Sequence, residues 1–299
     1  MMAENTPYIV VGLGEVLWDI LPEGKQLGGA PANFAFHANE LGAKGIVVSA
    51  VGNDKLGIEL RELLQVNGLT VDAIAVDGAH PTGTVSVTLG EGGQPDYTIH
   101  ENVAWDFIPL RPDFEALAAG AHAVCFGTLA SRNPHSRESI RRFLDATLPG
   151  CLRVLDVNLR QQYYTSDIIH DLLDRADVLK LNEDELPIIT ALLNIGGSTK
   201  ERMEELLSRY ALQTIALTRG ARGSVLLTPG MMEVHHGLRV GNVVDTVGAG
   251  DSYTAVLVMG LLQHWSLEDI NQRANQLASY VCGQAGGMAS HPESLQFVS

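Results

Sequence analysis

The residues whose types and spacing most readily do chemistry form the string Asp245-Thr246-Val247-Gly248-Ala249-Gly250-Asp251-Ser252, followed by the almost wholly apolar run Tyr253–Leu262. Such a run reads as a buried helix, and the two glycines flanking Ala249 place a tight turn at its start. Free backbone N–H groups there point out of the helix, and the helix dipole adds partial positive charge, so the turn suits an anion. An anion that gains charge in a transition state is favoured most. Asp251 is then placed to take a proton from a hydroxyl attacking a phosphoryl group held at the turn. Read in isolation, the same residues also fit an ordinary helix start with Asp251 as N-cap.

A second candidate is Gly28-Gly29-Ala30-Pro31-Ala32-Asn33, which opens a helix running to about Leu41 and stopped by Gly42. Pro31 suits a first helical turn, and the small residues let a ligand approach the backbone. Asn33, one turn in, offers a donor and an acceptor to hydroxyl groups. Asp156-Val157-Asn158-Leu159-Arg160 ends a strand, and the forked donors of Arg160 suit a sugar, a phosphate or a structural ion pair. Asn182-Glu183-Asp184-Glu185 reads as an acidic first helical turn, and Thr218-Arg219-Gly220-Ala221-Arg222-Gly223 as a glycine turn between two strands.

These groups need a frame. Short apolar runs at Ile9–Gly12, Gly45–Val51, Ala123–Phe126, Arg153–Val157, Val178–Lys180, Thr214–Leu217 and Ser224–Leu227 alternate with amphipathic stretches. The latter are Lys55–Val66, Asn133–Ala146, Glu183–Leu193 and Lys200–Tyr210, joined later in the chain by a helix at Ile270–Cys282. The alternation predicts an α/β fold with a mostly parallel sheet covered by helices on both faces. Glu15–Leu21 and Thr82–His100 break the alternation and carry turn residues such as Glu91-Gly92-Gly93. They read as antiparallel strands outside the main sheet, a small flap over its strand ends.

The string Asp-Thr-x-Gly-Ala-Gly-Asp, complete here from Asp245 to Asp251, resembles the C-terminal signature of the PfkB (ribokinase-like) carbohydrate kinases. Gly28–Asn33 resembles the family's N-terminal Gly-Gly signature and is nearest its fructokinase branch, as is Gly14-Glu15-Val16-Leu17-Trp18-Asp19. The two signatures stand near opposite ends of the chain. The resemblance implies a ribokinase-like three-layer fold, one domain over residues 1–299, with a β-strand lid from about 15–27 and 82–106. It implies that Gly248, Ala249 and Gly250 form an anion hole and that Asp251 is the general base. Asp19, Gly28, Gly29, Asn33 and Arg160 would meet the sugar. Asn182, Thr218, Gly220, Gly223 and Asn275 would meet ATP. Glu185 would organise Mg2+ through water, as is normal for an ion that keeps several waters. Asp245 would help hold a monovalent cation, K+, with the loop around Gly286 and Ser290, where Ala289 stands in place of a common proline.

The implied reaction is ATP-dependent phosphorylation of a sugar primary hydroxyl, with fructose first. Thr82–Asp106 contains no Lys or Arg, which favours a neutral sugar over an acidic one such as 2-keto-3-deoxygluconate. Tyr97, Asn102 and Trp105 are candidate sugar contacts. A sensor that binds sugar or nucleotide without catalysis is the reading from a different class, and the intact Asp251 and glycines argue against it. A dehydrogenase is disfavoured: after Gly12-Leu13-Gly14 the third glycine of a dinucleotide fingerprint is replaced by Leu17. Gly24-Lys25-Gln26 lacks the Ser or Thr of a Walker phosphate loop, and His235-His236 has no ligand set nearby.

Bulk properties agree. A formal net charge of −15 disfavours nucleic acid. Cys125, Cys151 and Cys282 are far apart in sequence and read as reduced core residues. No apolar run reaches the roughly 18 residues that cross a bilayer. The start of the chain lacks a basic segment and cleavage site, so the expectation is a cytoplasmic protein without membrane partners. Exposed lid edges could pair two chains into a homodimer.

Overall fold

The computed structural model describes residues 6–21, 24–89, 95–238, 241 and 243–297. In chain order, β1 (Ile9–Leu13), β2 (Leu17–Leu21) and β3 (Gly24–Gly28) lead into α1 (Ala30–Glu40), β4 (Lys44–Gly52), α2 (Lys55–Val66) and β5 (Ile74–Asp77). Then come β6 (Thr84–Leu89), β7 (Pro95–Ile99), α3 (Pro112–Gly120), β8 (Ala123–Phe126), α4 (Pro134–Asp145), β9 (Leu152–Asp156) and α5 (Ser166–Leu173). The chain closes with β10 (Val178–Asn182), α6 (Glu185–Leu192), α7 (Thr199–Arg209), β11 (Thr214–Thr218), β12 (Ser224–Thr228), β13 (Met231–His235), α8 (Ala249–Leu262) and α9 (Leu267–Val281).

The main sheet has nine strands in the order β13-β12-β11-β10-β9-β8-β1-β4-β5. From β11 to β5 it is parallel, and β12 and β13 add an antiparallel edge. Strand side chains alternate between two cores, as the two-residue period requires. Val11, Val124, Leu155, Leu179 and Ile215 face one core, which holds residues of α3 to α7. Val10, Ala123, Val154, Val178 and Ala216 face the other, with α1, α8 and α9. Helix α8 is buried from Ser252 to Gly260 and packs between α1 and α9, which is why its sequence is apolar all round. Parallel strands buried on both faces read as continuous apolar runs, and that is how they stood out in the sequence.

A second sheet of four strands, β3-β2-β6-β7, lies outside the first. Here one expectation is corrected. The pairs β2–β3 and β6–β7 are antiparallel, but β2 and β6 pair in parallel, with Trp18 opposite Thr84 and Ile20 opposite Ser86. The cause is topological: β2 leaves the end of β1 and β6 leaves the end of β5, two parallel strands of the main sheet, so both run outward in the same sense. The Glu91-Gly92-Gly93 turn lies outside the described residues. No described helix is long and apolar enough to cross a membrane.

Candidate active site

The site forms at the C-terminal ends of the parallel strands. After β1 the chain goes to β4 on one side and returns as β8 on the other, and at such a switch of direction the strand ends leave a crevice. A cleft opens there, lined by Glu15 after β1, Pro31 on α1, Thr128 after β8, Asp156 and Asn158 at the end of β9, and Asp251 on α8.

Asp251 is set by two elements, α8 and α1. Gly248 is the N-cap of α8 with φ 77°, a left-handed conformation that glycine adopts without strain. Its carbonyl accepts the Ser252 N–H at 2.8 Å. The Gly250 and Asp251 N–H groups have no intrahelical acceptor, so they are free to receive an anion. From α1, Asn33 Nδ2 donates to Asp251 Oδ2 at 2.8 Å, while the buried Asn33 Oδ1 has no hydrogen-bond partner. An orphaned acceptor beside the carboxylate suits a ligand hydroxyl. Burial, then the nearby Asp156, pushes the Asp251 carboxyl up to about 6, against the opposing Asn33 hydrogen bond and the charges of Lys180 and Arg160.

None of Asp19, Gly28, Gly29, Asn33 and Arg160 is among the residues that line this cleft; they stand around it. Asp19 on β2 is half-buried, and burial raises its carboxyl above the usual range, with Arg160 opposing. Gly28 lies against it, since a Cβ there would stand 2.4 Å from Asp19 Oδ2. Gly29, with φ 116°, caps α1 and presses on the Glu15 carbonyl, where a Cβ would come to 2.6 Å. Arg160 is exposed, and its one recorded contact is a long 3.5 Å approach to the Leu159 carbonyl. Its charge acts on Asp19, Glu15 and Asp251 together. Of the other candidates, Tyr97 is exposed, Asn102 takes a left-handed turn with φ 56°, and Trp105 is buried under the Arg132 guanidinium. Trp105 is therefore a packing residue at the base of the second sheet.

The nucleotide-side residues form a separate group. Asn182 and Thr218 are register partners at the ends of β10 and β11. Asn182 Oδ1 accepts the N–H groups of Asp184 and Glu185, each at 2.9 Å, and starts α6. The Gly220–Arg222 turn is closed by Gly223, whose φ of 80° and close approach to the His235 carbonyl admit no side chain. An ion pair between Arg222 and Glu183 ties this turn to the Asn182 loop. Asn275 on α9 is buried in a polar network, its Nδ2 donating to Ser224 Oγ and to the Asn271 carbonyl, both at 2.7 Å.

The two residues expected to meet cations, Glu185 and Asp245, both accept backbone amides. Glu185 is buried and uses both carboxylate oxygens on backbone amides, Oε1 on Leu159 N–H at 2.9 Å and Oε2 on Asn182 N–H at 2.7 Å. It pins the Arg160 loop to the loop after β10, with each of its oxygens engaged by an amide. Asp245 accepts Val247 N–H at 3.0 Å and Gly286 N–H at 3.2 Å, so its carboxylate joins the turn before α8 to the late loop. Both partners are amide donors, one on each carboxylate oxygen, so the contacts present here tie the loops together and show no set of cation ligands. Among the described residues no cluster of three or more His, Cys, Asp or Glu could hold a metal by itself.

Sequence reasoning missed Glu15 and Lys180. Glu15 was quoted within a motif but given no role. It is buried at the cleft and raised to about 7, chiefly by burial, with Asp251 adding to the rise. Lys180 was passed over as a strand end, although a lysine within a strand buried on both faces is itself a signal. It pairs with Asp156.

This fold and this site define a phosphotransferase that places a carboxylate at a helix N-terminus, and comparison with known proteins agrees. The profile of the pfkB family carbohydrate kinases matches residues 23–294, and the chain belongs to that family. It is an ATP-dependent sugar kinase. A sugar kinase of Pyrococcus horikoshii is 29% identical over 302 residues, covering 94% of this chain and 92% of its own. The crystal structure of that protein in complex with ATP superposes with a TM-score of 0.79 over 94% of each chain. The fructokinase of Klebsiella pneumoniae is 30% identical over 283 residues, 91% of this chain and 90% of its own. The fold is shared with a fructokinase from Vibrio cholerae, at a TM-score of 0.81, 23% identity and 98% of each chain.

Proposed function

We propose that this kinase transfers the γ-phosphoryl group of ATP to a primary hydroxyl of fructose, acting in the cytoplasm, with Asp251 as general base. The observation that carries the reading is the Asp251 carboxylate, held by Asn33 beside unpaired amides at the start of α8. The sugar hydroxyl gives its proton to Asp251 as its oxygen bonds to the γ-phosphorus, and the bond from phosphorus to the departing ADP oxygen breaks. The amides around Gly250 take up the charge that develops on the phosphoryl oxygens. Magnesium bound with the nucleotide would neutralise phosphate charge, and potassium near Asp245 would hold the late loop. The second sheet would act as a lid, bringing Asp19 over the sugar and excluding water. Its edge strands β3 and β7 are where two chains would pair.

Fructokinases among the relatives at 30% identity support fructose, as does the lack of Lys and Arg in 82–106. One observation favours a second reading, 2-keto-3-deoxygluconate. The exposed Arg160 guanidinium, unpaired with any carboxylate among the described salt bridges, is suited to an acidic sugar. ADP release measured with MgATP and K+ across fructose, ribose, tagatose, 2-keto-3-deoxygluconate, adenosine and fructose 6-phosphate decides between them. Turnover with fructose alone is expected. Turnover confined to the acidic sugar, and lost in Arg160→Ala, would replace fructose while keeping the mechanism.

A further inference from the structure

Beneath the glycine turn lies a buried cation that the mechanism above does not use. Lys180 is 7% exposed, on the central strand β10. Its Nζ donates to Asp156 Oδ1 at 3.0 Å. Asp156 Oδ2 in turn lies 2.9 Å from Thr254 Oγ1, and the same hydroxyl oxygen lies 2.9 Å from the Gly250 carbonyl oxygen. Nζ thus belongs to a chain of contacts that ends on the backbone of Gly250. It also stands beside that residue: a Cβ built on Gly250 would lie 3.0 Å from Nζ. Gly250 has no positive φ, so left-handed backbone does not explain the glycine. The ammonium borders the space a side chain would enter. The other Lys180 N–H donors have no acceptor among the described residues.

We propose that Lys180 is a positioning residue for phosphoryl transfer: its ammonium borders the side-chain space left open at Gly250, braces the amide turn through Asp156 and Thr254, and holds Asp251 as the carboxylate. This rests on Asp251 being the base. The charged and titratable groups acting on Asp251 are Asp156 from β9, Lys180 from β10 and Arg160 from the loop after β9. Glu15 after β1 and the Cys125 thiol on β8 also couple to it. Burial works against the Lys180 ammonium, but Asp156, Glu185 and Asp251 outweigh it and its pKa is raised, so it stays charged wherever the enzyme works. An ammonium buried without its partner would instead lose its proton. Its positive charge therefore offsets Asp156, which otherwise drives Asp251 to hold its proton.

The test needs no sugar. Protein labelled with 13C at aspartate Cγ is titrated by NMR, with Asp251→Asn identifying the Asp251 line. In Lys180→Met the Asp251 midpoint is expected to rise by about one pH unit, a tenfold gain in proton affinity. Should Lys180→Met not fold because Asp156 is stranded, Lys180→Gln, whose amide can still donate to Asp156 without carrying a charge, takes its place. The same rise is expected in that variant. A midpoint that does not move in the comparison that folds overturns the proposal. Failure of the underlying reading is separate: Asp251→Asn that keeps its turnover with MgATP and fructose removes the base, whatever the titration shows.

Discussion

The floor and the roof of the site are built by different rules. The floor is the start of α8 over the ends of β9 and β10. There Asn33, Asp156, Lys180 and Thr254 are buried and bonded to one another or to Asp251. The roof is the four-stranded second sheet. Asp19 on it is half-buried, Tyr97 is exposed, and β3 is exposed over Gly24–Gln26. Buried polar groups are costly unless satisfied, so each floor residue is fixed by its neighbours. Roof residues are held more loosely and can differ from sugar to sugar. Under the function proposed above, the reaction would belong to the floor and the choice of sugar to the roof.

The largest effect should come from the floor. Asp251→Asn should cut kcat by roughly 10²–10⁴-fold, the range for losing a general base, while ATP affinity by calorimetry stays near wild type. Turnover near wild type would dissolve the distinction between floor and roof. Gly250→Ala should follow, with at most about a tenfold fall in kcat, because the Lys180 ammonium must give way slightly to admit the Cβ. ADP release together with a melting curve would check it, and unchanged kcat would mean that Lys180 can yield without consequence.

On the roof, Asp19→Ala should raise the sugar KM by roughly tenfold through the loss of hydrogen bonds to a charged group, with little change in the ATP KM. Equal losses for both ligands would move Asp19 from sugar contact to general architecture.

The smallest effect is on stability, and its sign depends on pH. Asp251 holds its proton more tightly folded, at about 6, than an ordinary carboxyl at 3.8. That contribution is fully present below the unfolded value and is lost as pH rises through about 6. Asp251→Asn should therefore raise the melting temperature at pH 8, by an equivalent of at most ~3 kcal/mol, and leave it nearly unchanged at pH 4. An unchanged melting temperature at pH 8 would mean that the carboxylate is better solvated than its surroundings suggest.

The parallel strands and most of the large helices were legible because burial on one or both faces leaves periodic apolar patterns. The short α3 and α5, and the strands β5 and β13, were not picked out. Strand β5 spans four residues, and β13 has exposed methionines at Met231 and Met232. Of the site, Asp251 and the glycines were legible from one string, and Asp19, Asn33 and Arg160 from short motifs. Glu15 and Lys180 were not, and Asp156 was legible only as a strand end, because their meaning lies in contacts across the fold. Gly250 shows the limit well: sequence gives a reason for a glycine at a turn, but not that a lysine seventy residues earlier stands against it.

The central claim is tested most directly by following 31P NMR of MgATP with fructose for the wild type and for Asp251→Asn. The account predicts a new phosphate monoester on a primary hydroxyl of fructose in the wild type, and its loss in the variant under identical nucleotide binding. The same product forming at a comparable rate with Asp251→Asn would contradict it.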